Sequence, residues 1–187
     1  MSMPLRSPDN RFTYADYVTW PENERWELID GRPYDMTPAP TTVHQRIVIN
    51  FAYLLKERAP RSCSVFVAQT DVVFSEFDVV QPDVLMVCDK TKITHANIQG
   101  APELIVEVLS PSTGLKDKRE KKSLYERNGV LEYVVVHPEL HYVERHALGE
   151  GGLYGREELL GPAESLRLNI VQDEIVIELS EIFEGSV

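Results

Sequence analysis

The chain has 187 residues, 43% of them hydrophobic, which is enough for one sizeable core and argues for a single domain over residues 1–187. Its 19 basic and 30 acidic residues give a formal net charge of -11, the reverse of what a general nucleic-acid coat protein carries. No apolar run approaches the roughly eighteen residues that cross a bilayer, and Met1 to Arg6 has no signal-peptide core, so a cytoplasmic protein is expected. Cys63 and Cys88 belong to no CxxC or Cys/His spacing, which argues against a zinc knuckle or a disulfide scaffold and predicts buried, reduced thiols. Acid is concentrated late, from Glu150 to Glu184, whereas Lys116 to Lys122 forms the dense basic patch where a polyanion would have to approach.

In chain order, Thr13 with Asp16 predicts a helix start, and Tyr14, Tyr17, Val18 and Trp20 a short amphipathic helix ending before Pro21. Arg25 to Arg32 reads as strand and turn, with Asp30-Gly31 as the hairpin signal and Pro33 to Met36 as the return strand. After the Pro38-Ala39-Pro40 break, Thr42 and Gln45 suggest a capping box, and Ile47, Phe51, Leu54 and Leu55 mark the apolar face of a helix running to about Arg58. Strands are expected at Cys63 to Ala68 and Asp71 to Ser75. The runs Val80 to Val87 and Glu103 to Ser110 read as strands buried on both faces. Leu115 to Asn128 follows as a helix closed by Gly129, and Val130 to Val136 as the next strand, which implies a parallel crossover. A strand at His141 to His146, a hairpin loop at Gly149 to Gly152 and strands near Arg167 to Ile170 and Ile175 to Leu179 complete the chain.

The two doubly buried strands each carry an acid. Asp83 follows Pro82 at the mouth of its strand, and Glu107 lies among Ile105, Val106, Val108 and Leu109. A carboxylate in such surroundings is costly unless paired, hydrogen-bonded or bound to a metal. Two acids from adjacent strands can converge on a hard divalent cation, for which oxygen ligands suit Mg2+ or Mn2+. The alternative is that Glu107 is a buried ion-pair partner and Asp83 a turn cap. Lys121 lies three and four residues before Leu124 and Tyr125 and shares their inward face, whereas Arg119 and Lys122 point away. His44, in the first turn of the capped helix, is as consistent with packing as with chemistry, and Glu27 by itself would pass for a surface ion pair. Ser110, Ser112 and Thr113 lack a GxSxG elbow and read as turn and cap. Gly149-Glu150-Gly151-Gly152 lacks the lysine of a phosphate loop. His137, His141 and His146 have no clear mutual spacing and read as surface or sheet-end residues.

Several segments occur together in one order: Trp26-Glu27-Leu28-Ile29-Asp30-Gly31, Pro38-Ala39-Pro40 with His44, Val80-Gln81-Pro82-Asp83, Leu104 to Thr113, and Asp117 to Lys121 with Tyr125 and Gly129 to Tyr133. Over about residues 12–146 this pattern resembles the Uma-two-type endonuclease family, within the PD-(D/E)xK restriction-endonuclease-like superfamily. The resemblance implies a mixed central β-sheet flanked by helices, here with extra C-terminal strands, and a Mg2+-dependent (or Mn2+-dependent) phosphodiesterase site. Carried over by position, Asp83 is the motif aspartate, Glu107 the second acid, Glu27 the acid from an early segment and His44 the helical histidine. Asp83, Glu107, the Val108 carbonyl and Glu27 would ligate metal, and Lys121 would position a water. The superfamily pattern places a lysine two residues after the second acid, where this chain has Leu109. Lys121 takes that role from the following helix, with Lys118 and Lys122 as alternatives. His137-Pro138 stands where relatives carry an acid before proline.

The expected function is therefore DNA phosphodiester hydrolysis, with a homodimer suited to paired cuts on a two-fold duplex. Two other classes stay open: a non-catalytic binding module of the same fold, and a metal-dependent hydrolase of small phosphate esters.

Overall fold

The computed structural model describes residues 11–21, 24–36, 39–110, 114–170 and 173–184, without the side chains of 114–118 and 173. Pro38, Pro111, Ser112 and Thr113, with the side chains of Lys116, Asp117 and Lys118, therefore lie outside the described residues. In chain order the elements are α1 (Tyr14–Tyr17), β1 (Trp26–Ile29), β2 (Arg32–Asp35), α2 (Thr42–Arg58), β3 (Ser64–Val67), β4 (Val72–Ser75), β5 (Asp78–Val80), β6 (Val84–Val87) and β7 (Ile98–Gln99). There follow β8 (Leu104–Val108), α3 (Gly114–Arg127), β9 (Glu132–His137), β10 (Tyr142–Ala147), β11 (Glu158–Leu160), β12 (Ser165–Ile170), β13 (Asp173–Glu178) and α4 (Leu179–Phe183).

These build a mixed α/β fold. A six-stranded sheet runs β11-β10-β9-β8-β6-β3, a five-stranded sheet runs β2-β1-β5-β4-β7, and β12 pairs with β13 as the C-terminal hairpin. Every residue of β8 is buried, as its unbroken aliphatic run requires. Side chains alternate across it. Leu104, Val106 and Val108 pack with Ile47, Phe51, Leu54 and Leu55 of α2 on one face, while Ile105 packs with Leu124 and Tyr125 of α3 on the other. That alternation places Glu107 on the α3 face. β8 and β9 are parallel, so α3 is the expected crossover helix.

The run Val80 to Val87 is not one strand. Pro82 has no N–H to donate to a ladder, and Gln81-Pro82-Asp83 separates β5, in the five-stranded sheet, from β6, in the six-stranded one. Asp83 thus stands where the chain passes between the sheets. The cap of α2 is Thr41 rather than Thr42, its side chain accepting from the His44 N–H. Cys63 and Cys88 are joined in a disulfide rather than free, because antiparallel pairing of β3 with β6 brings their neighbours Ser64 and Val87 opposite one another. The Asp30-Gly31 turn forms as expected, with φ of 51° and 72°. A Cβ at Gly31 would come 2.8 Å from the Arg11 Cβ and 3.0 Å from the Phe12 carbonyl oxygen, so glycine is needed both for its backbone and for the approach of the N-terminal segment.

Phe51 is fully buried between α2 and the six-stranded sheet. Phe51→Ala should therefore cost about 3–5 kcal/mol, read as a lowered midpoint in urea denaturation; a midpoint unchanged from wild type would contradict this packing.

Candidate active site

The helix α3 is docked onto the β1–β2 hairpin near its middle and near its C-terminus. Near its C-terminus Arg127 donates from Nη2 to Asp30 Oδ1 and Asp78 Oδ1, both at 2.9 Å. Near its middle Glu120 accepts from the Tyr34 hydroxyl. Between these anchors Lys121, Leu124 and Tyr125 face inward and are buried, while Arg119 is exposed and Lys122 half-buried. The inward stripe brings an ammonium against two carboxylates that lie far away in sequence and in different sheets. Lys121 Nζ donates to Glu27 Oε1 and to Glu107 Oε1, each at 2.9 Å. Glu27 is only 2% exposed, so it is a buried ion-pair member and not the surface residue its strand pattern suggested.

The remaining hydrogen bonds fix the same oxygens. Glu27 Oε1 also accepts from the Gln81 backbone N–H at 2.9 Å, and Glu107 Oε1 from the Tyr125 hydroxyl at 2.6 Å. Asp83 Oδ2 accepts from the Val108 N–H at 2.8 Å and lies 3.2 Å from His44 Nε2. Among the described residues, Glu27 Oε2, Asp83 Oδ1 and Glu107 Oε2 take no hydrogen bond. All three acids, with His44, Lys121 and Val108, line a cavity of about 390 Å³. Glu27, His44, Asp83, Glu107 and Lys121 are thus brought together in one place. The side chain of Lys118 lies outside the described residues; among those described, Lys121 is the lysine bonded to these carboxylates.

The electrostatics follow from one cation serving several acids. Burial drives the Glu107 carboxyl from 4.5 up to about 7, the charges of Asp83 and Glu27 adding to this while Lys121 and the Tyr125 hydrogen bond oppose it. Burial works against the Lys121 charge, but Glu107 and Glu27 outweigh it and hold the amine above its ordinary value. Lys121 is therefore a fixed ammonium. Burial likewise disfavours a charged His44, yet the hydrogen bond and charge of Asp83, the charge of Glu107 and the Val108 backbone raise it overall. His44 Nδ1 is buried without a partner, so the neutral ring carries its proton on Nε2, beside Asp83.

Three contributors escape a sequence reading. Tyr125 looked like a core aromatic, and its apolar spacing gives no hint of the hydroxyl's use. Gln81 acts through its backbone, which side-chain identity does not report. Arg25 lines the cavity with its Nε buried and without a hydrogen-bond partner; its place two residues before Glu27 in an alternating strand was the available signal.

The proton on Glu107 has a stability consequence. It is bound more tightly in the folded chain, near 7, than at the ordinary 4.5, so its contribution is fully present below pH 4.5 and is lost as the pH rises to about 7. In chelator-treated protein, wild type should lose stability relative to Glu107→Gln over that window, measured by urea denaturation at its two ends. A stability difference that does not move between the two would show that Glu107 ionises normally.

Comparison with known proteins places the chain in a family. The Uma2 family model, described as "putative restriction endonuclease", matches residues 14–180, so the likeness extends past residue 146 into the C-terminal strands. An uncharacterized protein of Synechocystis, sll1609, is 31% identical over 142 residues, which cover 72% of this chain and 79% of that protein. The crystal structure of a protein from Anabaena variabilis, described as a putative nuclease belonging to DUF820, superimposes with a TM-score of 0.76 over 94% of this chain and 99% of that one, at 15% identity. That structure shares the fold. The chain is a member of the Uma2 family of restriction-endonuclease-like proteins.

Proposed function

We propose that this protein is a divalent-cation-dependent endonuclease hydrolysing phosphodiester bonds in DNA. The observation that carries the reading is the convergence of Glu27, Asp83 and Glu107 on one cavity, each with one oxygen committed to protein donors and one that takes no hydrogen bond among the described residues. An all-oxygen carboxylate set fits Mg2+ or Mn2+ in preference to softer ions. Asp83, Glu107 and Glu27, with the Val108 carbonyl, would hold the ion, and when bound it supplies the Lewis acidity that polarises a phosphate and acidifies water.

The chain's own groups account for the remaining work. Lys121 cannot act as a base while it remains an ammonium; it fixes the inner oxygens of Glu27 and Glu107 and presents positive charge to a phosphate or water. His44 and the Val108 N–H meet the same oxygen of Asp83 and together hold it in one rotamer. Arg25, whose Nε has no partner among the described residues, lines the cavity and would contact a phosphate oxygen, for which a guanidinium fork is well suited. With a net charge of -11, DNA would have to be engaged locally. The basic segment 116–122 adjoins the cavity through Lys121, and pairing of two copies on a two-fold duplex would double that local positive surface.

Pure protein should nick or linearise plasmid with Mg2+ or Mn2+ and not with a chelator. Asp83→Ala and Glu107→Ala should each lower the rate by more than the roughly 10–100-fold typical of losing an outer-shell partner. Cutting by Asp83→Ala at the wild-type rate would sink the assignment. Arg25→Gln should raise KM about tenfold, as expected for one charge-assisted hydrogen bond, with less change in kcat; an unchanged KM would remove Arg25 from the phosphate contact.

A further inference from the structure

A second cluster lies on the same sheet, away from the cavity just described. Glu144 and His146 alternate on β10, so they share a face, and their ladder partners on β9 are Val135 and Tyr133. Val135 is also the partner of Glu107 on β8, so Glu107 and Glu144 flank one valine on opposite sides. His146 is fully buried, Glu144 nearly so, and Glu157, just before β11, is exposed. One ligand atom from each of these three residues falls within 4.8 Å of the others.

His146 is not the sheet-end residue that its position near a loop suggested. Its ring is 0% exposed, stacked against Tyr133 at 5.6 Å and near Tyr154 at 5.9 Å, and among the described residues neither ring nitrogen has a hydrogen-bond partner. A neutral imidazole always carries one N–H, so burial in this state leaves a donor unsatisfied, which is unfavourable. Its Nε2 lies 3.8 Å from Glu144 Oε2, too far for a hydrogen bond but close enough for both to bind one ion. The other oxygen of Glu144 is held by His137 Nε2 at 2.7 Å, the kind of outer contact that orients a metal-binding carboxylate.

We propose that His146, Glu144 and Glu157 form a binding site for a transition-metal dication of the zinc class. One imidazole and two carboxylates match the donors that zinc accepts, and two negative charges neutralise the ion. The exposed Glu157 provides the route of access, with water completing the shell. An imidazole donor distinguishes this site from the oxygen-only set of Glu27, Asp83 and Glu107, so the two should sort ions by softness. This assignment does not depend on the nuclease reading.

The test is calorimetric titration of chelator-stripped full-length protein with Zn2+, repeated on Glu157→Gln, His146→Asn and Asp83→Ala, with Co2+ absorption in the visible as a spectroscopic reporter of nitrogen and oxygen ligation. Wild type and Asp83→Ala should bind Zn2+ alike. Glu157→Gln, a surface change that leaves the fold intact, should weaken binding by roughly 10-fold or more, and His146→Asn should abolish it together with the Co2+ band. Absence of Zn2+ binding, or an unchanged affinity in Glu157→Gln, would overturn the assignment whatever His146→Asn does. Loss of Zn2+ binding in Asp83→Ala would overturn it too, placing the ion in the catalytic cavity.

Discussion

The site depends on one ammonium shared by two buried carboxylates. Glu27 belongs to the five-stranded sheet, Glu107 to the six-stranded sheet, and Lys121 to the helix that packs over both. A carboxylate taken out of water without a partner is strongly unfavourable, and breaking such a pair by removing one member leaves the other charge stranded. The Lys121 bridge therefore does two things at once. It ties the two sheets and α3 into one arrangement, and it sets the relative positions of acids that sequence separates by 80 residues. The Arg127 contacts to Asp30 and Asp78 and the Tyr34 contact to Glu120 support the same docking from the C-terminal end and the middle of the helix.

One cation does not balance three acids. With Asp83 close by, the group is short of positive charge, and Glu107 responds by taking up a proton more readily than a free carboxylate. This is a stability cost that the fold retains. Among the described residues the hydrogen bonds to Glu27, Asp83 and Glu107 all fall on one oxygen of each, so the framework is satisfied from within while no described donor takes the second oxygens. An arrangement optimised only for stability would have spent those oxygens on donors or replaced the acids with apolar residues. Such locally unfavourable choices are where chemistry is expected.

How much of this was legible follows from how local each signal is. Glu107 stands out because a charge inside a five-residue aliphatic strand violates its pattern, and Lys121 because helical spacing puts it with Leu124 and Tyr125. Asp83 is flagged by Pro82, although the same proline breaks the run that looked like one strand. Glu27 could not be recognised as buried, since its burial depends on Lys121, which is 94 residues away. The strands β5, β7 and β11 are two or three residues long, too short to show a period. The cysteines read as separate thiols because nothing local to either reveals that β3 and β6 pair. His146 looked peripheral because the sequence does not show that Tyr133 and Tyr154 close over it.

The register of the six-stranded sheet also explains how two polar clusters coexist on one face without merging. Glu107, Val135 and Glu144 lie across three neighbouring strands, and strand spacing separates the two acids by roughly 10 Å, twice the distance between adjacent strands. Val135 lies between them, and Tyr133, the next residue on that face, lines the cavity beside Glu107 on one side and stacks on His146 on the other. The aromatic ring and the valine keep the intervening ground apolar, so neither set of acids can reach an ion held by the other. Each cluster therefore keeps its own partners: Lys121 bridges Glu27 and Glu107, whereas one oxygen of Glu144 takes His137 Nε2 at 2.7 Å and the Tyr142 hydroxyl at 3.4 Å.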